Sequence, residues 1–106
     1  MSWKTALYST PERYGLQVLG EADASPGYEW DIFVVYRDLA TGELYTVADG
    51  GCSCNSASDA IQTRDDLSGP HTVAEVHAQL DEWAKFHATY LDQASAVELH
   101  AKLAEI

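Results

Sequence analysis

Residues 28 to 54 most constrain what this chain can fold into. They read YEWDIFVVYRDLATGELYTVADGGCSC. Strand side chains alternate between two faces. Tyr28, Trp30, Ile32, Val34 and Tyr36 therefore share one face, and Glu29, Asp31 and Arg37 share the other, with Phe33 and Val35 between them. One face is apolar throughout and the second only in its middle. That predicts a central strand with the core on one side and a helix or partner on the other. Asp38 to Glu43 form a hairpin loop in which Gly42 supplies positive φ. A return strand is expected from Leu44 to Ala48, with Tyr45 and Val47 on one face. Asp49-Gly50-Gly51 is expected to end it just before Cys52 and Cys54.

The flanks extend this unit. Thr10-Pro11-Glu12 suits a single helical turn, with Thr10 as cap and proline at the first position. Leu16, Val18 and Leu19 mark a strand from about Tyr14 to Glu21, and Ser25-Pro26-Gly27 a turn. Three strands joined by short turns give an antiparallel meander over residues 14–54. Residues 55–71 are polar and small, and read as a linker loop. Thr72 to Glu75 is a capping box. Val73, Val76, Leu80, Trp83, His87 and Tyr90 recur at helical spacing, so a helix is expected from Val73 to Leu91. Ser95 to Glu98 reads as a second capping box, opening a shorter helix with Leu99, Leu103 and Ile106 as its stripe. The expected fold class is α+β: a three-stranded antiparallel β-meander followed by two C-terminal helices, the first covering the sheet. A chain of 106 residues fits one domain.

Charge narrows the partners. Six Lys and Arg oppose seventeen Asp and Glu, for a net charge of −11. The acids are spread over both halves, so the whole surface is expected to be negative. Direct nucleic-acid binding is disfavoured, because that affinity comes from Lys and Arg, and an anionic membrane is disfavoured likewise. The longest apolar run, Ile32 to Tyr36, is far too short to span a bilayer. The opening MSWKTALYST lacks the apolar core of a secretion signal. Two cysteines make no disulfide framework, and a reducing cytoplasm is the expected setting.

Gly50-Gly51-Cys52-Ser53-Cys54 is the one locally unusual cluster. Two thiols could supply half of a zinc site, completed by Asp49, His71 or His77. The spacing is not the usual two-residue knuckle, so small buried thiols are the simpler expectation. His77 and Asp81 lie four apart on one helix face, and with Cys52 they could form a Cys-His-Asp constellation. A packed or solvated helix histidine is the plainer reading. Tyr28, Trp30, Tyr36, Tyr45, Trp83 and Tyr90 are expected in the core, and Asp65-Asp66 as a solvated pair.

The order YGLQVLGEAD, YEWDIFVVYRDLATGELY and the DGGCSC turn resembles a family of small uncharacterised proteins in phages of actinobacteria. The resemblance covers residues 14 to 54. Where that family has a Pro-aromatic-acidic stretch after the cysteines, this chain has Asn55-Ser56-Ala57-Ser58. The resemblance implies a phage origin and the host bacterial cytoplasm, and it carries no activity. The leading expectation is a non-enzymatic accessory protein that binds a basic surface of a host protein without a cofactor, through helix acids such as Glu75, Asp81 and Glu82. One alternative is a metal- or thiol-dependent enzyme or sensor, with Cys52, Cys54 and His71 as zinc ligands. Another is a small-ligand site between the sheet and the first helix.

Overall fold

The computed structural model describes residues 6–25, 29–52 and 60–106. Four antiparallel strands stand in chain order: β1 (Leu16–Asp23), β2 (Glu29–Asp38), β3 (Leu44–Cys52) and β4 (Ser68–His71). Two helices follow, α1 (Val73–Phe86) and α2 (Gln93–Ala104). The α+β class and the two helices agree with the sequence; the strand count of three does not.

The fourth strand lies within the stretch read as a linker. Ser68-Gly69-Pro70-His71 has no apolar alternation, and its glycine and proline argue against a central strand. It serves as an edge, where proline is tolerated. Gly69 takes φ +143°, and a Cβ there would sit 2.9 Å from the Leu44 carbonyl oxygen. A larger residue would push β4 off β3. The other bounds shift for local reasons. Pro11–Tyr14 is a 3-10 turn closed by Gly15 at φ 74°, so β1 begins after it rather than within it. β3 continues through both glycines, which pair with Trp30 and Asp31 of β2, instead of ending at Asp49. Gly42 has φ +77°, as the hairpin required.

The sheet is covered on both faces, which accounts for the unbroken apolar run in β2. On one face Phe33 and Val35 pack with Val76, Leu80 and Trp83 of α1 and Ala96, Leu99 and Leu103 of α2. On the other, Ile32, Val34 and Tyr36 pack with Leu7, Leu16, Val47 and Ile61. Among the described residues that second face is covered by the segments around Leu7 and Ile61, tied together where the amides of Leu7 and Tyr8 donate to the carbonyls of Gln62 and Ile61. Burying a leucine or isoleucine fully contributes roughly 1.5–3 kcal/mol, so Leu7 and Ile61 fix these segments to the sheet. At the other face α2 comes close to β1 because Gly20 is bare; a Cβ there would lie 2.8 Å from Leu99 Cδ1.

The capping box at α1 is present, with the Thr72 amide donating to Glu75 at 2.8 Å and the Glu75 amide to Thr72 Oγ1 at 3.1 Å. The helix ends at Phe86, short of Leu91, with His87 as its cap: the His87 amide donates to the Trp83 and Ala84 carbonyls, and the ring adds a contact to the Trp83 carbonyl at 2.8 Å. Tyr90 is consequently 63% exposed and not a core aromatic. α2 is capped by Asp92 rather than Ser95, one turn earlier than expected. The Asp92 amide donates to the Asp23 carbonyl at 2.8 Å, and Ser95 Oγ accepts from the Asp23 amide at 3.0 Å. Those two bonds pin the start of α2 to the end of β1. Ile106 is exposed and lies outside the stripe that Leu99 and Leu103 form with Ala96.

Candidate functional site

A groove beside the sheet starts from two small residues, Ala48 and Gly50 of β3. The Asp38 amide donates to the Glu43 carbonyl at 2.8 Å, which makes these two a hydrogen-bonded pair. Bonded pairs alternate along an antiparallel ladder. Tyr45, Val47, Asp49 and Gly51 therefore bond toward β2, and Thr46, Ala48 and Gly50 direct their backbone groups to the opposite edge. β4 pairs with β3 at Leu44 and Thr46. Among the described residues no strand pairs with this edge of β3 beyond Thr46. The Gly50 amide is instead met by the side chain of its neighbour, donating to Asp49 Oδ1 at 2.8 Å.

Two adjoining cavities lie beside this edge, under the C-terminal half of α1. One, of about 370 Å³, is bounded by Phe33, Thr46, Ala48, Glu82, Trp83 and Phe86 among others. The second, of about 310 Å³, is bounded by Asp31, Ala48, Asp49, Gly50, Trp83 and His87. Ala48 and Trp83 belong to both, so together they form one groove. Ala48 and Gly50 leave room on its floor, and α1 presents the rings of Trp83 and Phe86. Phe86 is 78% exposed at its lip, an apolar ring left largely in water. No Lys or Arg lines either cavity, whereas Asp31, Asp49 and Glu82 do. The groove is apolar inside and acidic at its rim.

His87 shapes its inner end. Its Nδ1 lies 2.8 Å from the Trp83 carbonyl, which can only accept, so Nδ1 carries the proton. The ring stacks on Trp83 with centroids 4.7 Å apart, and Nε2 faces Asp31 Oδ1 at 3.6 Å. The imidazole thus braces the wall between the indole and the Asp31 carboxylate.

The candidate residues named from the sequence scatter. Glu82 lines the groove. Glu75 is held in the α1 capping box, and its hydrogen bonds with Thr72 keep its carboxyl below the usual range. Asp81 pairs with His100 Nε2 at 3.0 Å, and His100 Nδ1 meets His77 Nδ1 at 2.7 Å with the rings stacked. His77 and Asp81 thereby converge on α2, at the seam between the helices. His71 contacts Ser68 and Gln79 and pairs with Leu44. Cys52 is eight residues further along β3, roughly 26 Å at strand rise, so His71 and Cys52 are not brought together. Cys54 lies outside the described residues, as do Tyr28 and most of the Ser25-Pro26-Gly27 turn. Among the described residues no group of three or more His, Cys, Asp or Glu could hold a metal ion, and no helix is long and apolar enough to cross a membrane.

Reading by sequence missed Asp31, Phe86 and His87 as neighbours, because their proximity depends on how α1 crosses the sheet. It also missed the role of Arg64. That side chain bonds Asp38 at 2.7 Å and the Tyr14 carbonyl at 3.0 Å, and lies 5.1 Å from the centre of the Tyr45 ring. It clamps the segment after residue 60 to the hairpin and the 3-10 turn, where a loop without fixed contacts was expected.

In comparison with known proteins, residues 5–105 match a family described as a domain of unknown function (DUF7574). No curated protein and no solved structure matches the chain.

Proposed function

We propose, for a chain that belongs to this family of unknown function, a non-enzymatic role in binding another protein through the acidic-rimmed groove between β3 and α1. The observation that carries it is Phe86, exposed at the lip of an apolar groove whose charged lining residues are Asp31, Asp49 and Glu82, with no Lys or Arg among them. Exposed apolar surface rimmed by polar groups is the usual character of a docking site. The acids select a basic segment of the partner and speed its approach, as does the net charge of −11. Aromatic side chains such as Phe86 and Trp83 supply the slowly released anchor. The phage resemblance of residues 14 to 54 supports a host protein as that partner, met in the host bacterial cytoplasm.

A small ligand between sheet and helix would use the same groove, but its open form and exposed lip suit a macromolecule better. The test is a pull-down from actinobacterial lysate at low salt, with Phe86→Ala and Glu82→Lys combined as the control. A stoichiometric band lost with the double variant supports the reading. A band that the double variant retains, or no band at all, contradicts it.

A further inference from the structure

We propose that the partner's basic segment binds by joining the sheet as a fifth strand, antiparallel to β3 at Ala48 and Gly50; this rests on the groove reading above. Three observations lead there. First, the alternation of the β2–β3 ladder turns the backbone groups of Ala48 and Gly50 toward the edge that β4 leaves uncovered among the described residues. An added strand supplies the complementary carbonyl and amide groups. Second, the same two residues face the helix side, opposite Phe33 and Asp31, and are small. Every second side chain of an incoming strand then points into the groove toward Trp83 and Phe86. Third, charge chooses the occupant. A second copy of this chain would bring the acidic edge around Asp49 against its own counterpart, on a molecule already at −11. Like charges facing each other across a new strand pair destabilise it.

Asp49 makes the choice sharper. Its carboxylate covers the Gly50 amide at 2.8 Å, blocking the edge. An incoming carbonyl replaces it at that amide. The displaced carboxylate, at the groove's rim on the Ile32 side of β3, is then placed to pair with an Arg or Lys of the added strand. A neutral or acidic strand offers no such exchange. The occupant is therefore an extended segment alternating aliphatic residues, which enter the groove, with basic residues, which meet Asp49.

The probe is an end-capped hexapeptide alternating arginine and valine, together with versions N-methylated on the valine amides, N-methylated on the arginine amides, or carrying glutamate for arginine. Affinity is measured by titration at low salt, and hydrogen exchange is followed at Ala48 and Gly50. Antiparallel pairing puts the valine amides on β3, since bonded partners share a face. The expected result is that the parent peptide slows exchange at Ala48 and Gly50 several-fold. Methylating the valine amides should weaken binding by at least about tenfold, methylating the arginine amides should leave it unchanged, and the glutamate version should not bind. Equal binding of both methylated forms, with exchange at Ala48 and Gly50 unaltered, overturns strand addition while leaving the basic-segment reading standing. No binding by any arginine-containing peptide overturns both.

Discussion

Two carboxylates with opposite environments show how single residues set the pH response. Asp38 is nearly buried, its side chain 11% exposed, and accepts from Arg64 and from the amides of Thr41 and Ala40. Those bonds hold its carboxyl down to about 2. Because the folded value lies below the unfolded value of about 4, its contribution is fully present above that pH. It is lost as pH falls toward 2. Arg64→Leu should therefore lower stability at neutral pH and flatten the acid limb between about pH 4 and 2, read from denaturant midpoints across pH. An acid limb as steep as the wild type's would mean that the pair is not what Asp38 depends on. Glu21 runs the other way. Burial raises its carboxyl, although it accepts a hydrogen bond from Tyr8 at 2.8 Å. Its ionisation thus costs stability above its folded value and nothing below the unfolded one. Glu21→Gln keeps the acceptor for Tyr8 and should raise the melting temperature at pH 7, with the gain disappearing in acid. A loss at pH 7 would show that the charge itself is needed. Neither role could be read from the sequence: Arg64 reaches Asp38 across a sequence separation of 26, and nothing in the neighbours of either residue marks the pair.

At the scale of elements, what was legible followed from local periodicity and what was not followed from long-range packing. β2, the Gly42 hairpin and the Thr72–Glu75 cap all have their determinants within a few residues. β4 has none; Ser68 to His71 becomes a strand only because Leu44 and Thr46 lie beside it. The start of α2 was misplaced because Asp92 is selected by its bond to Asp23 of β1, which no capping pattern shows. The groove was legible only as an expected interface of sheet and first helix, and of the acids proposed for binding, Glu82 alone reached it. The packing itself can be tested. Leu80 is fully buried between α1 and the sheet, and Leu80→Ala should cost about 2–5 kcal/mol. Gly20→Val should cost about 1–3 kcal/mol or more, because its side chain would collide with Leu99. Tyr90→Ala, at an exposed position, should fall within about 0.5 kcal/mol of wild type. Chemical denaturation of the three variants checks the order; a Tyr90 effect as large as that of Leu80 would mean α1 continues and packs beyond Phe86.

For the molecule as a whole, the two faces of the sheet are put to different uses. Among the described residues one is covered by the two helices and the other by the segments around Leu7 and Ile61, and the margin beside β3 brings together apolar surface, unpaired strand edge and acidic side chains. On the proposed reading, the charge of −11 disfavours a second copy and favours a basic partner. Charges further apart than about 8 Å are screened at physiological ionic strength, so this steering should weaken with salt while the anchoring by Trp83 and Phe86 persists. The most direct measurement of the central claim is a titration of isotopically labelled protein with the arginine–valine hexapeptide, followed by amide and indole chemical shifts at low and high salt. The account predicts that the largest shifts cluster at Ala48, Gly50, Trp83, Phe86 and His87, shrink as salt rises, and vanish in the Phe86→Ala, Glu82→Lys variant. Shifts centred instead around Glu75 or on the Asp81–His100 seam, or shifts indifferent to salt and to those substitutions, would contradict it.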